Sequence, residues 1–169
     1  GEVRIAGQGR PIELFMFDND RMLRSVDLLD SETLQLTGTS RADIISGTDL
    51  RDKIYGGDGN DILSAGEGPG GWQYLLGQDG DDLYRFAEAD GTVFIDDTEG
   101  SNRIKFSDLD FSDFTFSSTD YGSHRWGETL NMISAGGELR IGDNADSINS
   151  FEFANGMVLK TLGFLSDDQ

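Results

Sequence analysis

From Gly38 onward the chain repeats itself every nine residues, and this feature limits its fold most tightly. Gly38-Thr39-Ser40-Arg41-Ala42-Asp43-Ile44-Ile45-Ser46 runs without a gap into Gly47-Thr48-Asp49-Leu50-Arg51-Asp52-Lys53-Ile54-Tyr55. Gly56-Gly57-Asp58-Gly59-Asn60-Asp61-Ile62-Leu63-Ser64 follows directly. The frame continues as Ala65-Gly66-Glu67-Gly68, is interrupted by Pro69-Gly70-Gly71, resumes as Trp72-Gln73-Tyr74-Leu75-Leu76 and regains full form over Gly77–Arg85. So short a unit has room for one strand and one turn, and repeats of this kind stack to bury a shared core. Glycine at the first, second and fourth positions permits the backbone angles that aim the carbonyls of a tight turn at a common centre. Aspartate at the sixth position adds an anionic oxygen. The eighth position, occupied by Ile45, Ile54, Leu63, Leu75 and Tyr84, points inward. Turns then alternate between two edges, so a cation belongs between units n and n+2, with Asp43 against Asp61 and Asp61 reaching towards Asp82.

The charge balance leads to the same chemistry. Acidic residues outnumber basic ones 32 to 13, for a net charge of −19. That excludes attraction to a phosphate backbone, and with it nucleic acid as a partner. Crowded carboxylate and carbonyl oxygens are best neutralised by a hard divalent cation. With no cysteine there are no disulfides, thiolate metal sites or cysteine nucleophiles. No apolar run approaches the roughly 20 residues of a membrane helix. Gly1 does not open an export signal, and a start without methionine points to a piece of a longer parent.

The flanks read as strands. In residues 1–37 these are Val3-Arg4-Ile5, Ile12–Phe17 and Leu34-Gln35-Leu36, with a turn at Asp18-Asn19-Asp20 and a short helix over 20–29 as the alternative. In residues 87–169 alternating runs at Val93–Ile95, Ile104–Phe106, Phe114–Phe116, Leu130–Ile133, Leu139–Ile141 and Phe151–Phe153 predict an antiparallel cap with one buried face. The expected fold is all-β in a single module: N-terminal strands over 1–37, a parallel β-roll over 38–86 and a C-terminal β cap over 87–169.

Gly56 to Ser64 resembles, position for position, the nonapeptide of the repeats-in-toxin (RTX) family of haemolysin-type calcium-binding repeats. Ile104–Leu109 and Ile148–Gly156 are similar to the segment that commonly follows such repeats. The resemblance implies a secreted bacterial protein, exported by type I machinery unfolded and folding outside the cell on meeting calcium. Repeat and resemblance together place the metal contacts at Gly38, Ser40 and Asp43; at Gly47, Asp49 and Asp52; at Gly56, Gly57, Asp58, Gly59, Asn60 and Asp61; and at Gly77, Asp79, Gly80, Asp81 and Asp82. Asp61 and Asp82 stand foremost, Asp43 and Asp52 next, and Asp49, Asp58 and Asp79 act mainly through their carbonyls. About two to four calcium ions are expected. Arg41 and Leu50 at fourth positions, Ala65 at a first position and Gln73 at a sixth depart from the pattern.

Competing readings are weaker. No stretch has the acid spacing and closing glutamate of an EF-hand. His124, between Tyr121 and Trp126, reads as a loop side chain, and no nucleophile signature accompanies the carboxylates, so an active site within this chain is not expected. The insertion before Trp72 bulges from the stack and presents that ring either as a cap or as a binding contact. Two functions therefore stand: a calcium-gated folding and export module, or a calcium-dependent recognition module for polysaccharide, peptide or a cell surface.

Overall fold

The protein is described by a computed structural model over residues 15–16, 22–23, 25–28, 33–48, 51–66, 72–122, 128–142 and 147–160. The readings at Val3–Ile5, Asp18–Asp20, Asp49, Pro69–Gly71 and Ser123–Trp126 lie outside these residues. Among the described residues the strands are β1 (Phe15–Met16), β2 (Met22–Leu23), β3 (Ser25–Leu28), β4 (Thr33–Thr37), β5 (Ile44–Ser46), β6 (Arg51–Asp58), β7 (Ile62–Ser64) and β8 (Trp72–Asp79). They continue as β9 (Leu83–Phe86), β10 (Thr92–Ile95), β11 (Asn102–Phe106), β12 (Thr115–Asp120), β13 (Glu128–Ile133), β14 (Glu138–Ile141), β15 (Ile148–Glu152) and β16 (Val158–Leu159). Single 3₁₀ turns lie at Glu88–Asp90 and Phe111–Asp113.

Successive strands pass alternately to two sheets, and this makes the roll. One sheet stacks β4, β6, β8, β10 and β14 in parallel and the other stacks β5, β7, β9, β11 and β15. The eighth-position residues form two facing columns. Leu36, Ile54, Leu75, Ile95 and Ile141 lie in register in one sheet. Ile45, Leu63, Tyr84, Ile104 and Phe151 do so in the other. All ten are buried, because alternate residues of a strand face the same side and only one side of each sheet faces its partner. At the C-terminal end Phe106 stacks on Phe153 at 4.8 Å and meets Phe114 at 4.9 Å, closing the core.

The parallel stack is longer than the nonapeptide block. Leu34-Gln35-Leu36 is a strand as expected, but β4 is already a parallel member of the roll. Beyond Phe86, the strands at 92–95, 102–106, 138–141 and 148–152 pair in parallel, correcting their assignment to an antiparallel cap. The antiparallel strands of that region are β12, β13 and β16, with β13 joined to β14 at the end of the sheet. Period-two alternation is common to both kinds of pairing. Here coil length decides, since sixth positions recur after 18, 21 and 20 residues and so fall one above another. Residues 22–23 and 25–28 are strands, not the alternative helix, and β3 pairs antiparallel with β4.

Continuation of the roll through β11 has an energetic consequence. Ile104→Ala should destabilise the fold by about 2–5 kcal/mol, whereas Lys105→Ala on the outer face should change it by under about 0.5 kcal/mol. Chemical denaturation distinguishes the two, and equal effects would contradict the register.

Candidate metal-binding edge

Four turns, 38–43, 56–61, 77–82 and 97–102, stack along one edge of the roll. Close approach of their backbones depends on glycine at the fourth position. Gly59 and Gly80 adopt φ of +110° and +137°, and a Cβ on Gly80 would strike the carbonyl oxygen of Gly59. With the coils this near, the sixth-position side chains of Asp61, Asp82 and Asn102 each reach the peptide of the preceding coil. The Asp43 N–H donates to Asp61 Oδ1 at 2.8 Å, the Asp61 N–H to Asp82 Oδ1 at 2.7 Å, and the Asp82 N–H to Asn102 Oδ1 at 2.7 Å. All four side chains are buried.

The ladder uses one oxygen each of Asp61 and Asp82, and the second-position residue of a turn decides whether the Oδ2 of its sixth-position carboxylate is satisfied. Asp43 Oδ2 accepts the Thr39 N–H at 2.6 Å and the Thr39 hydroxyl at 2.8 Å. Asp52, on the opposite edge, is closed in the same way by Thr48, whose N–H donates to Oδ2 at 2.5 Å. The corresponding residues after Gly56 and Gly77 are Gly57 and Gln78, and no such hydroxyl is present. Asp61 Oδ2 and Asp82 Oδ2 are buried with no hydrogen-bond partner.

These two oxygens face the missing side chains of the first-position glycines. A Cβ on Gly56 would collide with Asp61 Oδ2 and lie 2.6 Å from the Gly77 carbonyl oxygen. On Gly77 it would collide with Asp82 Oδ2 and lie 2.6 Å from Asp97 Oδ2 and 2.5 Å from the Tyr84 hydroxyl. Each glycine thus opens a cradle lined by oxygen. An oxygen-only donor set suits a hard cation such as calcium, while imidazole and thiolate ligands are absent from it. Among the described residues no three carboxylate or imidazole side chains converge on one point, so backbone carbonyls would have to complete any coordination sphere.

Electrostatics mark the same two residues. Burial pushes the Asp61 carboxyl up to about 7, helped by the charges of Asp82, Asp43 and Asp58 and opposed by the Asp43 N–H. Burial likewise raises Asp82 to about 6, with Asp97 and Asp81 adding to it and the Asp61 N–H opposing. Ionised and unaccompanied, neither is comfortable here.

The remaining sequence-assigned residues divide between edge and exterior. Gly38, Gly47, Gly56 and Gly77 flank sixth-position carboxylates, whereas Gly57, Gly59 and Gly80 abut the backbone of the preceding coil. Asn60 and Asp81 form an exposed outer ladder, with the Asp81 N–H on Asn60 Oδ1 and the Ser101 N–H on Asp81 Oδ1. Ser40, Asp58 and Asp79 project their side chains to solvent, and the Asp79 carbonyl accepts the Gly59 N–H at 2.7 Å. Gln73 is buried in Asp52's sheet with its Oε1 unpaired. The sequence reading missed Asp97, Asn102 and the Tyr84 hydroxyl. A signal for them exists: 97–105 keeps the nine-residue frame with Gly100 fourth, Asn102 sixth and Ile104 eighth, but lacks both leading glycines.

The RTX calcium-binding nonapeptide repeat model, in four copies, matches residues 37–69. No curated protein matches this sequence. Among solved structures the chain is similar to the AlgE6R3 subunit of the Azotobacter vinelandii mannuronan C5-epimerase, a solution structure. That likeness has a TM-score of 0.52 at 20% identity, covers 87% of this chain and 94% of that one, and shows the fold alone. Residues 37–69 thus match the RTX calcium-binding nonapeptide repeat, within an all-β parallel roll that continues beyond them.

Proposed function

We propose that this chain is a calcium-binding module of a secreted bacterial protein, whose glycine-aspartate edge closes when calcium enters the cradles. The unpaired buried oxygens of Asp61 and Asp82 carry this reading. A buried carboxylate without a partner is costly, and a cation aimed at both carboxylate and carbonyl oxygens relieves the cost and joins adjacent coils. When bound, calcium supplies positive charge at the edge. Asp61 and Asp82 would hold it, with the Gly77 carbonyl beside Asp61. The peptide N–H groups of Asp43 and Asp61 orient the two carboxylates by fixing their Oδ1 atoms. Asp43 and Asp52, already closed by Thr39 and Thr48, hold their turns through protein hydrogen bonds. Metal binding of this kind is folding energy, which fits a chain that crosses the cell envelope unfolded through type I machinery and folds in calcium-rich surroundings. The role is structural, and any catalysis belongs to a parent protein.

The test is a calorimetric calcium titration of the chelated chain. Asp61→Asn should remove one binding event, while Asp43→Ala should leave the number of ions unchanged and cost about 1–3 kcal/mol of stability through the unpaired Thr39 N–H. Equal ion counts in both variants and the parent would sink the proposal. The pH dependence has a defined sign. Because the metal-free fold holds protons on Asp61 and Asp82 that the unfolded chain would release, its stability is fully present below the ordinary carboxylate pKa of 3.8. It is lost as pH rises through about 6 and 7. Calcium must displace those protons, so its apparent affinity should rise across that same interval, with proton release on binding.

A second reading draws on the outer face of the longer sheet. Trp72 is 56% exposed and its ring lies 5.7 Å from Phe94, which stacks on Tyr74 at 5.1 Å beneath the Arg140 guanidinium. Such a surface suits the apolar face of a sugar ring. If the module recognises polysaccharide, Trp72→Ala should weaken glycan binding roughly tenfold with calcium loading unchanged. An array of neutral and acidic glycans that shows no binding by the loaded module would end this reading.

A further inference from the structure

We propose that the cradle at Gly77 is a cation site of a different kind from the others, in which Asp97, outside the matched repeats, is a direct metal ligand beside Asp82. The inference rests on the calcium reading of the roll and adds to it a carboxylate at a first position, where the coils facing the other cradles have glycine or alanine.

The cradles differ in what the following coil contributes. At Gly38, Gly47 and Gly56 the facing group is a neutral backbone carbonyl, of Gly56, Ala65 and Gly77 respectively. At Gly77 the first position of the following coil is Asp97, and its carboxylate oxygen faces the cradle. Two carboxylates and a phenol oxygen therefore surround one missing Cβ. Asp82 is wholly buried and its Oδ2 receives no N–H or hydroxyl; the group it meets is the Asp97 carboxylate, so either a proton or a cation must stand between the two.

Asp97 is held for this position from several sides. It is 2% exposed; its Oδ2 accepts the Tyr84 hydroxyl at 2.5 Å and its Oδ1 the Glu99 N–H at 3.2 Å. Tyr84 is itself oriented by the Gly77 N–H, which donates to the phenol oxygen at 2.7 Å. The Ser147 hydroxyl fixes the Asp97 backbone through its carbonyl at 2.7 Å. Two buried carboxylates that share a cradle cannot both stay ionised cheaply without a cation between them. A groove of about 500 Å³ lies beside Asp97, and Asp79, Asp96 and Glu99 in its lining concentrate cations near the site. The doubled negative charge favours calcium over magnesium, whose ideal octahedron would need more water than a buried cradle admits, and favours trivalent lanthanides more strongly still.

The experiment uses the whole chain, stripped with chelator and loaded with calcium or terbium. Ions are counted by native mass spectrometry, and terbium emission is excited through tyrosine. Asp97→Asn, which preserves shape, should lose one ion or bind it on the order of tenfold more weakly, and should lower the emission. Asp61→Asn should lose a different ion, so that the double variant loses two. Tyr84→Phe keeps both carboxylates and the core ring, so it should hold the full ion count while the emission falls to what Tyr55, which lines the same groove as Asp97, still transfers; this variant reads the site even if Asp97→Asn fails to fold. An unchanged ion count in Asp97→Asn, or emission from Tyr84→Phe equal to the parent's, would overturn the assignment and leave Asp82 and Asp97 sharing a proton. A parent chain that binds no calcium at all would instead remove the wider reading on which this one rests.

Discussion

Asp43, Asp61 and Asp82 lie buried in one column, Asp61 and Asp82 each taking a hydrogen bond from the peptide of the coil before it, and so like charges stand where water screens them poorly. The peptide N–H groups answer only half of each carboxylate. What satisfies the second oxygen decides whether a turn can close on its own. Thr39 and Thr48 supply a local answer with a backbone N–H and a hydroxyl. Gly57 and Gln78 supply none, and Asp61 and Asp82 are left with unpaired oxygens beside Gly56 and Gly77. One fold thus contains turns closed by protein alone and, under the proposed reading, turns that require an ion.

The rest of the molecule follows from that edge. Stacking the turns fixes coil length, coil length sets the parallel register, and the register aligns the two inward columns through Ile54 and Leu63. Neither column is wide, and the chain carries 23 glycines whose ordering is entropically expensive. An ion that joins adjacent coils acts where the hydrophobic core is thinnest. The longer sheet is covered at both ends by antiparallel pairing, β3 on β4 and β13 on β14, and the other sheet at its C-terminal end by β16 on β15, which leaves fewer open parallel edges for other chains to join.

Much of this was legible in the sequence. The nine-residue frame placed Ile45, Ile54, Leu63, Leu75 and Tyr84 inward, and the n to n+2 rule brought Asp43 to Asp61 and Asp61 to Asp82. The frame became unreadable where turn chemistry changed. Asp97 replaces a glycine and Asn102 an aspartate, yet Asn102 Oδ1 still accepts the Asp82 N–H, because an amide oxygen serves the ladder as well as a carboxylate does. Likewise Ile95, Ile104 and Ile141 alternate as strand residues of either pairing would, and only three-dimensional coil length makes them parallel. The reach of the Tyr84 hydroxyl across the core to Gly77 was hidden, since an eighth-position tyrosine reads simply as a large apolar residue. The distinction between threonine-closed and open aspartates depends on the second position, which the repeat pattern treats as glycine or as a departure without consequence.

The most direct measurement of the central claim is far-UV circular dichroism of the chelated chain, titrated with calcium and in parallel with magnesium. The account predicts a largely disordered spectrum that converts cooperatively to β with calcium and not with magnesium, as the open cradles at Gly56 and Gly77 fill. A full β spectrum in chelator, unchanged by either ion, would mean that threonine caps and apolar columns suffice and that the unpaired oxygens of Asp61 and Asp82 do not govern folding.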